Sequence, residues 1–141
     1  MGPVERRPTV LFVCARNAGK SPMAEGLMRR AAGAAVDVSS AGTAPGTSLN
    51  ALSVQALAEV GVDLAGGVPR PVTPELVEAA DVVVVLGREA RVEPVPGTRV
   101  ETWVTDEPSE RGIEGMERMR LVRDDIDRRV RALARELGAL G

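Results

Sequence analysis

Eight consecutive residues, Cys14-Ala15-Arg16-Asn17-Ala18-Gly19-Lys20-Ser21, hold the only cysteine and the only lysine of the chain. The other seventeen basic residues are all arginine. Small and polar residues in this run allow a turn whose successive backbone N–H groups, from Ala15, Arg16, Asn17, Ala18, Gly19 and Lys20, point inward as an anion-binding nest. A helix beginning near Ser21 would add its positive dipole end and its unpaired N–H donors. Lys20 adds a compact point charge, where arginine would offer a planar fork. A helix N-terminus and a nearby cation favour the thiolate form of cysteine. The Ser21 hydroxyl can donate to that sulfur. The run therefore predicts an ionised nucleophile, Cys14, beneath a bound tetrahedral oxyanion. Asn17 suits left-handed backbone and local hydrogen bonding within such a loop. Arg16 is either a recruiting cation or a solvated charge.

The flanking elements are those needed to position such a loop. Val10 to Val13 reads as a buried strand and Ser21 to Gly33 as a helix, with Pro22 in its first turn. Val36 to Ser40 alternates as a second strand, and Gly42 to Ser48 is a loop of small residues. Asn50 caps a helix bearing Leu52, Val54, Leu57 and Val60, which Gly61 ends. Thr73-Pro74-Glu75 starts another helix. Val82 to Leu86 has the unbroken apolar character of a strand covered on both faces. Val100 to Val104 is a half-buried strand. Ile113, Met116, Met119, Val122, Ile126, Val130, Leu133 and Leu137 mark one long amphipathic helix. The order β-α-β-α-α-β-β-α predicts an α/β three-layer sandwich with a four-stranded, mostly parallel sheet. Ligands of such sheets sit beyond the carboxyl ends of the strands, where Cys14 falls.

Composition narrows the chemistry. At 141 residues the chain predicts one domain over 1–141. With no histidine, His-assisted nucleophiles and His-based metal sites are excluded. One cysteine forms no intramolecular disulfide. A net charge of −2, one Phe, one Trp and no Tyr argue against a nucleic-acid surface. The stretch Met1 to Thr9 and the few apolar residues after it are too short for a leader. The apolar run Ala79 to Leu86 contains Asp81 and is too short to span a membrane. The expectation is a cytoplasmic protein, where a lone thiol stays reduced. The acidic cluster Asp124, Asp125 and Asp127 points in different directions around a helix, so no metal is expected.

The loop and its flanks resemble the low-molecular-weight protein tyrosine phosphatases and the arsenate reductases that share their fold. The signature Cys-x5-Arg-Ser stands here as Cys14-x5-Lys20-Ser21. The stretches Ser21-Pro22-Met23-Ala24-Glu25-Gly26-Leu27 and Ser40-Ala41-Gly42-Thr43 are similar to the arsenate reductase branch. So is Trp103 through Asp106-Glu107-Pro108 to Ile126. Nearly the whole chain is covered, and the likeness is greatest to the single-cysteine arsenate–mycothiol transferases. That resemblance implies that arsenate binds in the loop with Lys20, and that Cys14 attacks arsenic. A low-molecular-weight thiol, mycothiol in that group, would then take the adduct as co-substrate. A glutaredoxin-like protein would reduce the conjugate, with no bound cofactor. The family places a general acid in an Asp-Pro step before the last helix. Here Glu107 precedes Pro108 and Asp106 lies one earlier, so either carboxyl can fill that role.

Two alternatives remain open at the level of sequence. One is a phosphatase, since phosphate and sulfate share the shape and charge of arsenate. Against it stand the absence of tyrosine and the lysine in place of the bidentate arginine. The other is a non-catalytic oxyanion-binding module. The run also approaches a nucleotide P-loop, G-x-x-x-x-G-K-[ST], but Cys14 stands where that turn requires glycine.

Overall fold

The computed structural model describes residues 7–138. Most of the Met1–Thr9 stretch and both ends of the 1–141 span lie outside the described residues. Four strands, β1 (Thr9–Cys14), β2 (Asp37–Gly42), β3 (Val82–Leu86) and β4 (Arg99–Trp103), pair in the order β2-β1-β3-β4. All three pairings are parallel. The helices are α1 (Lys20–Ala32), α2 (Ala51–Ala58), α3 (Pro74–Ala79) and α4 (Gly115–Glu136). The expected caps form: Asn50 accepts from the Ser53 amide, and Thr73 accepts from the Leu76 amide with Pro74 in the first turn.

Strand alternation sorts the core into two layers. Val10, Phe12 and Cys14 of β1, with Val82, Val84 and Leu86 of β3, face α1, α2 and α4. Leu11, Val13, Val83 and Val85 face the other way, toward Val77 of α3. The β3–β4 crossover carries no helix, and Ala90, Val92 and Val95 cover that face instead. Phe12 packs on Trp103 with ring centroids 5.7 Å apart and planes tilted by 54°, a favoured aromatic geometry. The period of two then fixes the site. Cys14, two residues after the buried Phe12, must project onto the helical side where α1 begins.

Three expectations shift. The sheet is parallel throughout rather than mostly so. Val104 lies just past β4 and is 49% exposed. Ile113 precedes α4, because a 3₁₀ turn at Pro108–Arg111 ends in left-handed Gly112 and delays the helix to Gly115. Leu27, 1% exposed, lies in the α1 layer, whereas Leu121 is 36% exposed. Urea denaturation is expected to show Leu27→Ala losing about 2–5 kcal/mol. Leu121→Ala should stay within about 0.5 kcal/mol of the parent.

Candidate active site

Residues 15–19 connect β1 to α1, and the chain that follows β2 aims them. The carbonyl of Cys14 accepts from the Thr43 amide (3.1 Å), that of Ala15 from Ala44 (2.7 Å), that of Arg16 from Gly46 (2.9 Å) and that of Ala18 from Asn50 (2.7 Å). With these carbonyls turned outward, the N–H groups of Arg16, Ala18, Gly19 and Lys20 have no partner among the described residues. Helix α1 starts at this point with no side-chain cap and no acid in its first turn. The result is an open set of donors at the positive end of a helix, suited to an anion. Gly42 permits the close approach of the two segments. A Cβ there would lie 2.8 Å from the Ala15 carbonyl oxygen and 2.9 Å from the Asn17 nitrogen.

Cys14 is a free, buried thiol. Its sulfur lies 3.0 Å from Ser21 Oγ and accepts from the Asn17 amide at 3.2 Å. Asn17 adopts φ 52°, the left-handed conformation anticipated for it. Its Oδ1 accepts from the Arg70 amide, which orients the side chain so that Nδ2 donates to both Ser21 Oγ (2.8 Å) and Ser40 Oγ (2.9 Å). The Ser40 hydroxyl donates to Glu25 Oε1 at 2.7 Å, and Glu25 pairs with Arg29. The Ser21 oxygen is thus occupied as an acceptor, which leaves its proton to face sulfur. Two hydrogen-bonding groups, the Asn17 amide and the Ser21 hydroxyl, thus converge on Cys14 Sγ. Asn17, at 2% exposure, and Ser21, at 0%, serve this buried relay.

The Cys14 cavity, about 260 Å³, is lined by Ala15, Arg16, Lys20, Leu86, Arg88 and Glu107 among others. No aromatic ring lines it. Arg16 is exposed, and neither it nor Lys20 or Arg88 forms a salt bridge with any described residue. Three cations therefore remain available around the sulfur.

The two carboxyls expected to act as acids are tied to arginines instead. Arg118 grips Glu107 through Nε (2.9 Å) and Nη2 (2.8 Å), and the Ser109 hydroxyl donates to it at 3.0 Å. Above all the Arg118 hydrogen bonds hold Glu107 down to about 2, against partial burial. Arg111 likewise holds Asp106 below the usual aspartate range. Both are ionised at neutral pH. Glu107 lines the sulfur's cavity, and Asp106 lines only the neighbouring groove.

Several residues of the site were not singled out from sequence. Glu25 stands four places after Ser21 on α1, where a helical count alone reaches it. Arg70, fifty-three residues from Asn17, gives no local signal. Its amide serves Asn17, its carbonyl accepts from Gly42, and its Nε donates to the Ser40 carbonyl at 3.0 Å. Asp125 holds the Asp106 amide at 2.8 Å. Its neighbours in the acidic cluster pair with arginines, Asp124 with Arg123 and Asp127 with Arg131. Among the described residues no group of His, Cys, Asp and Glu side chains could hold a metal ion, and no helix is long and apolar enough to cross a membrane.

A thiol between two donors, under outward-turned carbonyls and an uncapped helix on a parallel sheet, defines a cysteine-centred oxyanion site. Residues 9–140 match the family model for low molecular weight phosphotyrosine protein phosphatases, and the chain belongs to that family. It is 34% identical to an arsenate reductase of Halalkalibacterium halodurans over 91% of this chain and 96% of that one. Among solved structures it resembles the thioredoxin-dependent arsenate reductase of Corynebacterium glutamicum (TM-score 0.81, 30% identity), covering 96% of this chain and 64% of that longer one. It also resembles the arginine phosphatase YwlE of Bacillus subtilis (TM-score 0.72, 26% identity), covering 93% of this chain and 99% of that one.

Two measurements check this geometry. Ser21→Ala removes one of the two groups that contact Cys14 Sγ, so alkylation of Cys14 by iodoacetamide at neutral pH should slow by about tenfold. Arg118→Met should raise the Glu107 titration midpoint from about 2 to near the ordinary 4.5, read by carboxyl-carbon NMR. Because the folded carboxyl lies below its unfolded value, the pair stabilises the loop above that ordinary value. The contribution is lost as pH falls toward about 2.

Proposed function

We propose that this chain is an arsenate reductase-type thiol transferase in which Cys14 attacks arsenate held by the 14–21 loop. The observation that carries the reading is the convergence of the Asn17 amide and the Ser21 hydroxyl on a sulfur that sits beneath unpartnered amides. The Arg16, Ala18, Gly19 and Lys20 amides and the Lys20 ammonium bind the oxyanion, and Arg16 draws it in. The backbone amide of Asn17 serves the sulfur rather than the substrate. Cys14 Sγ forms a bond to arsenic, and one oxygen departs as water. With Asp106 and Glu107 both ionised by their arginines, monoanionic arsenate brings the two protons that this water needs. Glu107, which lines the cavity of the sulfur, disfavours a second negative charge on the bound arsenate and so favours the monoanion. No second cysteine stands in the chain to expel the product. An external low-molecular-weight thiol therefore takes the arsenic, with mycothiol as the proposed acceptor and a glutaredoxin-like protein downstream.

A second reading is supported by the family itself and by the likeness to an arginine phosphatase: hydrolysis of a phosphoester or phosphoramidate through a Cys14 phosphoenzyme. The missing aromatic lining and the lysine at position 20 weigh against it. Mass spectrometry of protein with arsenate and candidate thiols separates the two. The expected product is an arseno–thiol conjugate, absent with Cys14→Ser, and Lys20→Ala should cut turnover by about 10²-fold or more. Rapid hydrolysis of an aryl phosphate without conjugate formation would select the phosphatase.

A further inference from the structure

Beyond the sulfur's cavity a second groove of about 500 Å³ opens, and the two share Lys20, Gly87, Arg88, Glu89 and Glu107. A molecule lying in this groove can reach arsenic on Cys14 without leaving the protein surface. Its wall includes Thr105, which is 7% exposed and whose hydroxyl has no hydrogen-bond partner among the described residues. A buried hydroxyl left unsatisfied is costly, and a ligand with a matching polar group removes the cost.

The rest of the lining describes that ligand. No aromatic residue is present, and the only branched aliphatic side chain is that of Val104. Five carboxylates face three cations. Arginines neutralise three of the five: Arg111 binds Asp106, Arg118 binds Glu107 and Arg129 binds Asp125. The side-chain carboxylates of Glu89 and Glu110 make no hydrogen bond or salt bridge with any described residue, although Glu110 lies within the field of Arg111. Glu110 belongs only to the part of the groove remote from sulfur, while Lys20 and Arg88 belong to the shared part. The shared part therefore sets Lys20 and Arg88 against one unpaired carboxylate, Glu89, while the outer part holds an unpaired carboxylate, Glu110, and no unpaired cation among the described residues.

We propose that the groove walled by Thr105 and edged by Glu89 and Glu110 holds the body of the acceptor thiol, and that it selects a hydrogen-bonding body without net negative charge. The inference rests on the thiol-transferase reading above. In the step it serves, the acceptor's sulfur, as thiolate after losing its proton to solvent, forms a bond to arsenic. The bond from arsenic to Cys14 breaks, and Cys14 leaves with the electron pair as a thiolate. Arsenic stays pentavalent throughout, so no oxidant or reductant is consumed.

The test follows decay of the Cys14–arsenic adduct by rapid-quench mass spectrometry with two simple monothiols, neutral 1-thioglycerol and dianionic mercaptosuccinate. The parent protein is expected to give an apparent KM at least tenfold lower for thioglycerol. Glu89→Gln with Glu110→Gln should close most of that gap by improving mercaptosuccinate. Thr105→Val should raise the thioglycerol KM about fivefold, and Thr105→Ser should restore it. A merely structural Thr105 would instead leave KM unmoved and alter only the melting temperature. The rate of adduct formation, which involves no acceptor, reports any wider damage. Adduct that decays with equal KM for both thiols, unmoved by these variants, overturns the subsite and leaves the arsenate chemistry standing. Failure to form any adduct overturns both.

Discussion

Four loop carbonyls bonded to the chain after β2 set the chemistry of the whole site. A backbone segment has as many amides as carbonyls, and turning one set outward turns the other inward. Residues 43–50 take the carbonyls of Cys14, Ala15, Arg16 and Ala18, so the amides of the same peptide units, those of residues 15, 16, 17 and 19, turn the other way, and the amides of residues 16, 18, 19 and 20 have no partner among the described residues. That division requires β2 to lie beside β1 in register, Cys14 opposite Gly42, and it requires glycine at position 42 to admit the contact. The apolar packing of the sheet thus determines the polar chemistry at its edge.

The ion pairs of the molecule divide into two populations. Most arginines are engaged: Arg99 with Glu101 and Glu136, Arg120 and Arg123 with Glu59, Arg118 with Glu107. On exposed surfaces such pairs contribute little to stability. Their effect near the site is geometric, since Arg111 and Arg118 fix the loop at 106–107 while keeping its carboxyls charged. The cations that line the sulfur's cavity, Arg16, Lys20 and Arg88, have no such partner among the described residues. Lys20 lines the cavity of Cys14 and forms no salt bridge with any described residue.

Much of this was readable in the sequence, because local chemistry determines much of it. The unbroken Val82–Leu86 run, the caps at Asn50 and Thr73 and the eight-residue loop are each specified by neighbouring residues, and each forms where expected. Asn17 was legible in kind, since few residues besides glycine accept φ 52°. The rest depends on distance in sequence. Nothing near Arg70 says that its amide will orient Asn17, and nothing near Asp106 or Glu107 says that Arg111 and Arg118 will hold them ionised. The start of α4 was missed by two residues because Gly112 and the 3₁₀ turn before it interrupt a hydrophobic period that continues through Ile113.

The Cys14–Gly42 register has one more consequence, and it concerns the chain before folding is complete. The groups that contact the sulfur come from Asn17 and Ser21, but Asn17 is held by Ser40 and Arg70, far along the polypeptide. A nascent chain that has not yet paired its first two strands lacks the Ser40 and Arg70 contacts that orient Asn17. The set of groups around Cys14 is therefore completed only with the finished topology, which ties the assembly of the site to the pairing of strands far apart in the chain.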